Sequence, residues 1–475
     1  MAEKKKTVLL INPNKMMPPV APLGLEYIGS FLAQNQVEVD LLDLTWEANA
    51  QKAINSRLGT KRYDLIGVSI RNIDDSSFAT RDFVLKPAAE IIKYAKKLAG
   101  VPVVLGGCGF SIMPETVLEY CGADFGIAGE GEAALLELLN ALCAQREFGS
   151  INGLLFKKNS KICKNIPLPG KSRSHIKLFR GLIDNLKYFA EGGQAGIETK
   201  AGCNRSCIYC ADPLAKGNSI RARDIGQVID EISFLTEQGI FCFHLCDSEF
   251  NIDPCQATEL CLELIKSKIN KKIKWYTYAC PRPFSSNLAK LMKEAGCVGI
   301  NFGADSADKK ILDNLGRDFS PEDIASCTQA CREQGIACMV DLLLGGPGET
   351  TDTLARTIQF ARSLPVDAVG VNAGIRIYPG TVISQIAKRE GFAAQNPNLW
   401  GKIEQNEKML EPVFYLSAKL GTGIDEKING LIGKDNRFMF MSRSKKSYNY
   451  NHNMALSRAI SKGKRGAYWH ILSGS

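Results

Sequence analysis

Histidine is scarce in this chain, with four residues among 475, and the first 150 residues contain none. Because imidazole is the commonest metal ligand that proteins supply, that part of the chain cannot offer a metal a histidine. Long hydrophobic runs are also missing, since no stretch of eighteen apolar residues occurs, and this excludes a membrane-spanning helix. The opening Met-Ala-Glu-Lys-Lys-Lys is followed by an apolar run of only strand length, unlike a secretory signal. We therefore expect a cytoplasmic protein.

Cysteine, in contrast, is abundant, with sixteen residues. In a chain without a secretory signal this number indicates free thiols in a reducing compartment and not a disulfide framework. The length of 475 residues predicts two or three domains. Two spaced pairs, Cys242/Cys246 and Cys327/Cys331, fall on apolar or helical stretches and are interpreted as small buried side chains.

Three further cysteines stand close together in Cys203-Asn-Arg-Ser-Cys207-Ile-Tyr-Cys210. Iron–sulfur clusters are normally held by four thiolates, so three in one compact loop predict a four-iron cluster whose fourth iron has no protein ligand. Such an iron is open to a substrate or cofactor. The alternative is three unrelated cysteines, but a strand-like stretch from Gln194 to Thr199 directly before the loop favours the cluster.

The spacing C-x-x-x-C-x-x-C, with the aromatic Tyr209 before the third cysteine, resembles the signature of the radical S-adenosylmethionine (SAM) superfamily. The resemblance implies a partial (β/α)6 barrel with a [4Fe-4S] cluster on Cys203, Cys207 and Cys210. It also implies that SAM binds the open iron and is cleaved to a 5′-deoxyadenosyl radical. In such enzymes the protein supplies position and the exclusion of water.

The first 150 residues alternate apolar, strand-like runs with amphipathic stretches, which is typical of a doubly wound, Rossmann-like parallel sheet. The predicted strands are Thr7–Asn12, Glu38–Leu42, Leu65–Ser69, Val101–Leu105 and Phe125–Ile127. Sheets of this kind bind ligands at the carboxyl ends of their strands. Glycine-rich segments follow the fourth and fifth strands, where a missing Cβ lets the backbone approach a large flat ligand.

These loops, with Pro22-Leu23-Gly24 on the first helix, resemble the cobalamin-binding domain that precedes the barrel in one large radical SAM subfamily. The resemblance covers about residues 5–145. A nucleotide or flavin can use the same fold, so the residues alone leave the ligand open. The resemblance implies the following cobalamin contacts: Asn14, Leu23, Gly24, Ser69, Arg71, Asn72, Gly106, Gly107, Gly109, Phe110, Gly129, Glu130 and Gly131.

Arg71 is of special interest because many cobalamin proteins supply a lower axial imidazole from a D-x-H-x-x-G loop, which this domain lacks. Its placement in Ser69-Ile-Arg71-Asn72 resembles that of an arginine near the lower face of cobalt in enzymes of the tryptophan 2-C-methyltransferase type. A guanidinium offers no acceptor lone pair, so it could not ligate cobalt but could deny that face to water. The alternative is a surface ion pair of Arg71 with Asp74 or Asp75.

The barrel is predicted from six strand-like runs separated by helices, and its active face lies at the carboxyl ends of the strands. After the first strand these are Phe241–Cys246, Lys274–Ala279, Val298–Phe302, Ala337–Leu344 and Ala368–Ile377. The resemblance implies that carboxylates after the second strand receive the SAM ammonium and that those after the fourth hold ribose hydroxyls. The SAM contacts expected on this basis are Tyr209, Asp247, Ser248, Glu249, Asp305, Ser306, Arg317, Gly346, Arg376 and Tyr378.

The predicted organisation is a cobalamin-binding domain at 1–150, a linker with one small hairpin at 151–188, the radical SAM barrel at 189–392 and a small, mainly helical region at 393–475. The last region is interpreted as a substrate-side domain or lid. Between Lys434 and His470 it carries nine lysines and arginines against one acid, with several aromatics. Such a segment suits single-stranded nucleic acid, but the aromatics more often dock a terminal helix to the core.

The resemblance implies a methyltransferase that moves a methyl group from SAM through methylcobalamin to an unactivated carbon. A small molecule, lipid or peptide is the expected acceptor, with ferredoxin or flavodoxin as electron donor. One alternative keeps both cofactors but catalyses a cyclisation, ring contraction or oxidation without methyl transfer. Another, of a different class, is an RNA-binding or RNA-modifying protein that uses the basic tail. Both a radical and a polar methyl transfer remain open.

Overall fold

The chain forms two α/β units in sequence order, followed by a C-terminal region that packs on both. The description rests on a computed structural model and covers residues 5–167, 176–441, 450 and 453–474. Two seven-stranded sheets organise the two units. Within the described residues, no helix is both long and apolar enough to cross a membrane.

The first sheet has the strand order β2-β1-β3-β4-β5-β6-β7, and the first five of these strands are parallel. The chain crosses from β2 back past β1 to β3, so the carboxyl ends of β1 and β3 flank the point where ligands bind in such sheets. The doubly wound fold is therefore confirmed. The strands are β1 (Thr7–Asn12), β2 (Glu38–Asp43), β3 (Leu65–Ser69), β4 (Val103–Gly106), β5 (Phe125–Ile127), β6 (Leu154–Lys158) and β7 (Lys161–Lys164).

Helices cover both faces of this sheet, and local signals fix their ends. Asn49 accepts a hydrogen bond from the Lys52 amide at one helix start, and Gly100 ends another in the left-handed conformation. The helices are α1 (Leu23–Gln34), α2 (Ala50–Thr60), α3 (Leu85–Ala99), α4 (Cys108–Ile112), α5 (Pro114–Cys121) and α6 (Glu132–Cys143).

The predicted linker contains the small hairpin that its composition indicated. The β6–β7 hairpin pairs antiparallel with β5 and so extends the first sheet. Helix α7 (Asn185–Gly192) then leads into the barrel. The polar stretches of the predicted linker thus enclose a hairpin that belongs to the first unit.

The second sheet has the order β19-β15-β14-β13-β12-β11-β8, and all of its strands are parallel. Six strands follow the predicted β/α alternation, whereas the seventh, β19, comes from the C-terminal region. The strands are β8 (Ala195–Ile197), β11 (Cys242–Leu245), β12 (Lys274–Ala279), β13 (Cys297–Asp305), β14 (Ala337–Leu344), β15 (Ala368–Ala373) and β19 (Phe438–Phe440).

The barrel helices pack outside this sheet and alternate with its strands. Ser320 and Asp323 form a reciprocal capping box at the start of one of them. A two-stranded ribbon, β9 (Lys200–Ala201) with β10 (Arg221–Ala222), flanks the cysteine loop. The helices are α8 (Asp212–Lys216), α9 (Ile225–Glu237), α10 (Pro254–Lys266), α11 (Ser286–Glu294), α12 (Lys309–Asn314), α13 (Pro321–Gln334), α14 (Thr351–Ser363) and α15 (Val382–Arg389).

The C-terminal region ends in helices, as predicted, but begins with short strands. Strands β17 (Leu399–Gly401) and β18 (Val413–Tyr415) form a separate antiparallel sheet with β16 (Ile375–Arg376) from the end of the barrel. Three helices follow, namely α16 (Ile424–Ile432), α17 (Met454–Ser461) and α18 (Tyr468–Ser473). Trp469 is buried and packs edge-on against Tyr276 of the barrel. This aromatic residue of the basic tail therefore docks the terminal helix to the core.

Candidate functional site

Cys203, Cys207 and Cys210 line one cavity with an empty volume of about 690 Å³ at the carboxyl end of the barrel. The loop that carries them rests on the segment after α12, because the Ile208 amide donates to the Leu315 carbonyl at 3.0 Å. Gly316 beside it has a φ of +72°, and a Cβ there would overlap the carbonyl oxygen of Ser206. Close backbone packing therefore fixes the cysteine loop.

Charged groups surround the three thiols. Arg317 Nη1 donates to Cys207 Sγ at 2.8 Å, and Arg205 Nε donates to Glu249 Oε2 at 3.2 Å. Burial raises the pKa of the Cys207 thiol, and the positive charge of Arg317 opposes that rise. Burial also raises the pKa of Cys210 to about 12. Binding to iron would stabilise the thiolate forms that burial disfavours.

The three thiols suit a cluster and not a single ion. Among the described residues, no group of three or more histidine, cysteine or acidic side chains converges closely enough to hold one metal ion. A four-iron cluster does not need such convergence, because each cysteine binds a different iron. The cavity between the cysteines provides the space that a cluster and its ligand require.

The predicted SAM contacts divide into two groups. Four of them, Tyr209, Ser248, Glu249 and Arg317, line the cluster cavity, and Asp247 lines the larger cavity beside it. Asp305 lies just behind, where it accepts from the Tyr209 hydroxyl at 2.6 Å and pairs with Arg317 at 3.1 Å. The other four, Ser306, Gly346, Arg376 and Tyr378, line none of the cavities described here.

Arg376 and Tyr378 are engaged by another domain. Arg376 Nε lies 2.8 Å from Asp74 Oδ2, and the Tyr378 hydroxyl donates to Asp74 Oδ1 at 3.1 Å. Ser306, which is 1% exposed, is hydrogen-bonded to Thr357. These side chains hold elements together, and the expected direct contact with SAM has no support from their positions.

Seven of the thirteen predicted cobalamin contacts line a second cavity at the carboxyl edge of the first sheet, with an empty volume of about 910 Å³. Phe110, in contrast, is fully buried against Gly126, and the Gly109 amide donates to the Ile70 and Arg71 carbonyls. These two residues, with Asn14 and Asn72, lie outside the cavity lining. The predicted residues that line it are Gly24, Ser69, Gly106, Gly107, Gly129, Glu130 and Gly131.

The cavity fits the tail of a large ligand such as cobalamin. A Cβ at Gly24 or Gly129 would meet no atom within 4 Å, so both glycines face open space that side chains would fill. The barrel closes the other side, because Glu198, Lys216 and Arg221 also line the cavity. Arg221 pairs with Glu130 at 2.8 Å across the domain boundary. Backbone from the first domain and charged side chains from the barrel thus form the walls of this cavity.

Arg71 is not part of a surface ion pair in the described residues, so that alternative is wrong. Asp74 is bound by Arg376, and Asp75 accepts from the Thr80 hydroxyl and from the Ser77 and Asp82 amides. Arg71 instead lines a third cavity, and its Nη1 lies 3.3 Å from Met16 Sδ. Leu23, another predicted cobalamin contact, lines the same cavity.

This third cavity, called the central cavity below, lies between the two domains and has an empty volume of about 2050 Å³. Asp212, Ser248, Tyr278 and Asp341 line both it and the cluster cavity, so the two spaces adjoin. The sequence reasoning missed Tyr278 and Asp341. Asp341 is the one acid in the strand Ala337–Leu344, whose other residues are apolar, and this signal was available in the sequence.

In the described part of the basic tail, several aromatic and basic side chains have partners within the protein. Phe438, Phe440 and Trp469 are buried, and Arg437 pairs with Asp435 at 2.7 Å. Arg465 donates to backbone carbonyls at its own helix end. Arg443, Lys445, Lys446 and Tyr448 lie outside the described residues. His175 and His452 also lie outside them.

Comparisons with known proteins identify the two domains that contain these cavities. Residues 197–361 match the Radical SAM superfamily, and residues 15–139 match the B12 binding domain. The tryptophan 2-C-methyltransferase of Streptomyces laurentii is 30% identical over 440 residues, which cover 79% of this chain and 73% of that protein.

Solved structures of the radical SAM methyltransferase TsrM from Kitasatospora setae are similar over nearly the whole chain. One, with tryptophan and the SAM analogue aza-SAM, has a TM-score of 0.92 at 28% identity and covers 99% of this chain and 98% of that one. Another, with cobalamin and a [4Fe-4S] cluster, has a TM-score of 0.90 at the same identity and coverage. The predicted cofactors, namely the cluster, SAM and cobalamin, are confirmed. The chain belongs to the radical SAM superfamily, within the cobalamin-dependent methyltransferases that include tryptophan 2-C-methyltransferase.

Proposed function

We propose that this protein methylates a ring carbon of an aromatic amino acid of the tryptophan type, with SAM as methyl source and cobalamin as carrier. The observation that carries the proposal is the central cavity, which adjoins the cluster cavity and contains Arg71 of the cobalamin domain. Its walls include the aromatic residues His244, Tyr278, Tyr450 and Tyr468. A flat aromatic substrate suits such walls. The relatives named above act on or bind tryptophan.

The chain's own residues position the reactants and exclude water. When bound, SAM would supply the methyl group to cobalamin and would bind the cluster, and cobalamin would pass the methyl group to the substrate. Asp212 lines both the cluster cavity and the central cavity. It accepts a hydrogen bond from the Ser248 hydroxyl at 2.7 Å and forms an ion pair with Lys216 at 3.0 Å. Tyr278 stands between the two cavities and contacts His244 edge-on, with ring centroids 4.9 Å apart. These contacts fix the wall against which a substrate ring would lie.

Arg71 is proposed to face the lower side of cobalt. Its guanidinium has no acceptor lone pair, and no carboxylate in the described residues neutralises it, so it can exclude a water ligand without becoming one. Arg71→His introduces a nitrogen that can ligate. The electron paramagnetic resonance spectrum of the cob(II)alamin-loaded variant should then show splitting by an axial nitrogen that is absent from the wild type. An unchanged spectrum would contradict this position for Arg71.

The test of methyl transfer uses anaerobically reconstituted, cobalamin-loaded protein with methyl-labelled SAM and tryptophan. The label should appear in methylated tryptophan. Replacing the three cluster cysteines with alanine should abolish iron binding, whereas Cys255→Ala, at an exposed cysteine outside the cavities, should not. A product that lacks the label would exclude methyl transfer from SAM. Failure of the label to enter any tryptophan product would exclude tryptophan as the substrate.

The same reaction distinguishes a radical from a polar transfer. Formation of 5′-deoxyadenosine together with S-adenosylhomocysteine would support a radical step, and S-adenosylhomocysteine alone would support a polar one. A ferredoxin or flavodoxin as electron donor and a cytoplasmic location complete the proposal. The location is supported by the sixteen cysteines, all of which are free thiols in the structure.

A further inference from the structure

Two polar side chains form a pair on neighbouring strands inside the barrel. Asn301 lies on β13 and Asp341 on β14, and Asn301 Nδ2 donates to Asp341 Oδ2 at 2.7 Å. Both line the central cavity, and Asp341 also lines the cluster cavity. The pair therefore stands where a substrate in the central cavity would come nearest to the cluster.

The pair has unused hydrogen-bond acceptors. Asn301 is only 6% exposed, and its Oδ1 is buried without a hydrogen-bond partner among the described residues. Among the residues that the structure describes, the Asp341 carboxylate receives one hydrogen bond, which comes from Asn301. An unpaired buried acceptor costs about 1–3 kcal/mol. The Asp341 carboxylate thus offers the cavity an acceptor that lacks a donor, whereas the buried Asn301 Oδ1 is closed to a ligand.

The other carboxylates of the central cavity are already engaged. Asp212 pairs with Lys216 at 3.0 Å, and Asp247 pairs with Lys200 at 2.9 Å. Asp75 accepts from the Thr80 hydroxyl and from two backbone amides. Asp341, in contrast, has no lysine or arginine partner in the described residues. It is the cavity acid whose charge a ligand would have to neutralise.

The backbone beside Asp341 is shaped to admit this side chain. A Cβ at Gly370, on β15, would overlap Oδ1 of Asp341 and the terminal methyl of Met339. Only a glycine at this position leaves the carboxylate where it is. The conformation of Asp341 therefore results from its surroundings on two strands.

The electrostatics of the pair favour a cation. The pKa of Asp341 is raised to about 6, chiefly by burial; the hydrogen bond from Asn301 opposes this rise and the negative charge of Asp305 adds to it. Burial raises the pKa of Tyr278 and of Tyr450, and the charge of Asp341 adds to both rises, so these hydroxyls lie near the carboxylate. His244 contacts the Tyr278 ring, and burial lowers the pKa of His244 to about 4, which leaves it neutral. A positive ligand would offset the desolvation of Asp341.

We propose that Asp341, which Asn301 holds in place, binds the protonated amino group of the substrate. This inference deepens the proposed function and rests on it for the position of the substrate in the central cavity. An ammonium carries three donors and a positive charge, so it can donate to the carboxylate and also neutralise it. A single indole N–H would donate to the carboxylate but leave its charge in place. The carboxylate therefore selects an amine.

The test compares ligands that differ only in the amino group. The pairs are tryptophan with indole-3-propionate, phenylalanine with 3-phenylpropionate, and tryptamine with 3-ethylindole. Binding to reconstituted, cobalamin-loaded protein is measured by titration calorimetry. The amine of each pair that binds should bind about tenfold more tightly or better, as expected for a charged hydrogen bond. In Asp341→Asn that preference should fall to about twofold, while the affinity of the deaminated partner stays unchanged.

Two further variants separate recognition from loss of structure. Asn301→Ala should weaken only the amines, by several-fold. Asp75→Asn, which changes a cavity carboxylate that is already bonded, should retain the full preference. Iron and cobalamin contents equal to those of the wild type would show that each variant has folded.

Several outcomes would overturn the inference. They are equal weakening of both members of a pair in Asp341→Asn, no preference for amines in the wild type, and no binding of any of the six ligands. Loss of binding by 1-methyltryptophan, with indole-3-propionate as tight as tryptophan, would assign the site to the indole N–H instead. The proposed function fails separately, if no label reaches tryptophan while the preference for amines persists.

Discussion

Arg376 Nε lies 2.8 Å from Oδ2 of Asp74, and the two side chains are 4% and 0% exposed. This ion pair joins the end of the barrel to the loop after β3 of the cobalamin domain, three residues beyond Arg71. Arg376 also donates to the carbonyls of Met409 and Leu410 from the C-terminal region. One guanidinium therefore holds three parts of the chain together beside the central cavity.

Arg376→Ala should destabilise the protein strongly. The change leaves Asp74 buried and without its cationic partner, which typically costs about 3–5 kcal/mol. The free energy of unfolding, measured by urea denaturation, should fall by about that amount. Cobalamin affinity should fall as well, because the loop that carries Arg71 loses its attachment to the barrel.

An exposed ion pair between the same parts of the chain provides the control. Lys408 pairs with Glu119, and their side chains are 63% and 60% exposed. Exposed pairs contribute about 0–1 kcal/mol, so Lys408→Ala should change the unfolding free energy little. Equal effects of the two substitutions would show that burial does not make the Asp74–Arg376 pair important.

Much of the fold was predictable because its central strands are buried on both faces and are therefore continuous apolar runs. Thr7–Asn12, Leu65–Ser69 and Ala337–Leu344 were predicted to the residue. Strand β19 was not, since three residues from the far end of the chain join the sheet only through tertiary pairing. The local sequence carries no sign of that partner.

The site was predictable where one short motif contains all the chemistry, as in the loop from Cys203 to Cys210. It was less predictable where a side chain's partner lies in another domain. Arg376 follows a barrel strand and was expected at SAM, but Asp74, 302 residues away, binds it. No local pattern records that pairing. Asp341 was missed although its charge interrupts an apolar strand.

Arg317 is expected to raise the reduction potential of the cluster. Its Nη1 donates to Cys207 Sγ at 2.8 Å, and a positive donor at a cluster sulfur stabilises the more negative, reduced state. Arg317→Met should therefore lower the potential by tens of millivolts in a redox titration followed by electron paramagnetic resonance. Arg356→Met, at a 59% exposed side chain that pairs with Asp308, should leave it unchanged. A rise in the Arg317→Met potential would contradict this role.

Gly370→Ala should impair amine recognition without removing the carboxylate acceptor. The added methyl would overlap Oδ1 of Asp341, so the carboxylate has to move away from its position in the cavity. The preference of the protein for tryptophan over indole-3-propionate should then approach that of Asp341→Asn. Gly430→Ala is the control, because a Cβ there meets no atom within 4 Å. Full retention of the preference in Gly370→Ala would show that the position of Asp341 does not matter for binding.

Amine binding should strengthen as the pH rises through the pKa of Asp341. The carboxylate must be ionised to attract an ammonium, and burial raises its pKa to about 6. Calorimetric affinity for tryptophan should therefore increase between pH 5 and pH 7, whereas the affinity for indole-3-propionate should not follow the same course. A pH profile for tryptophan that is equally steep in Asp341→Asn would assign the titration to another group.

The stability of the ligand-free protein should show the opposite dependence. Because the pKa of Asp341 rises from 3.8 to about 6 on folding, the folded state binds its proton more tightly than the unfolded state does. The contribution to stability is complete below pH 4 and is lost as the pH rises through 6, by at most about 3 kcal/mol.

Asp341→Asn removes this dependence and keeps an acceptor for Asn301 Nδ2. Urea denaturation should therefore find the variant more stable than the wild type at pH 8, with a smaller difference at pH 5. Asp313→Asn, at an exposed carboxylate, should follow the wild-type profile. A constant difference between Asp341→Asn and the wild type across this range would mean that the carboxylate is not desolvated, and the main electrostatic reason for a cationic ligand would then be gone.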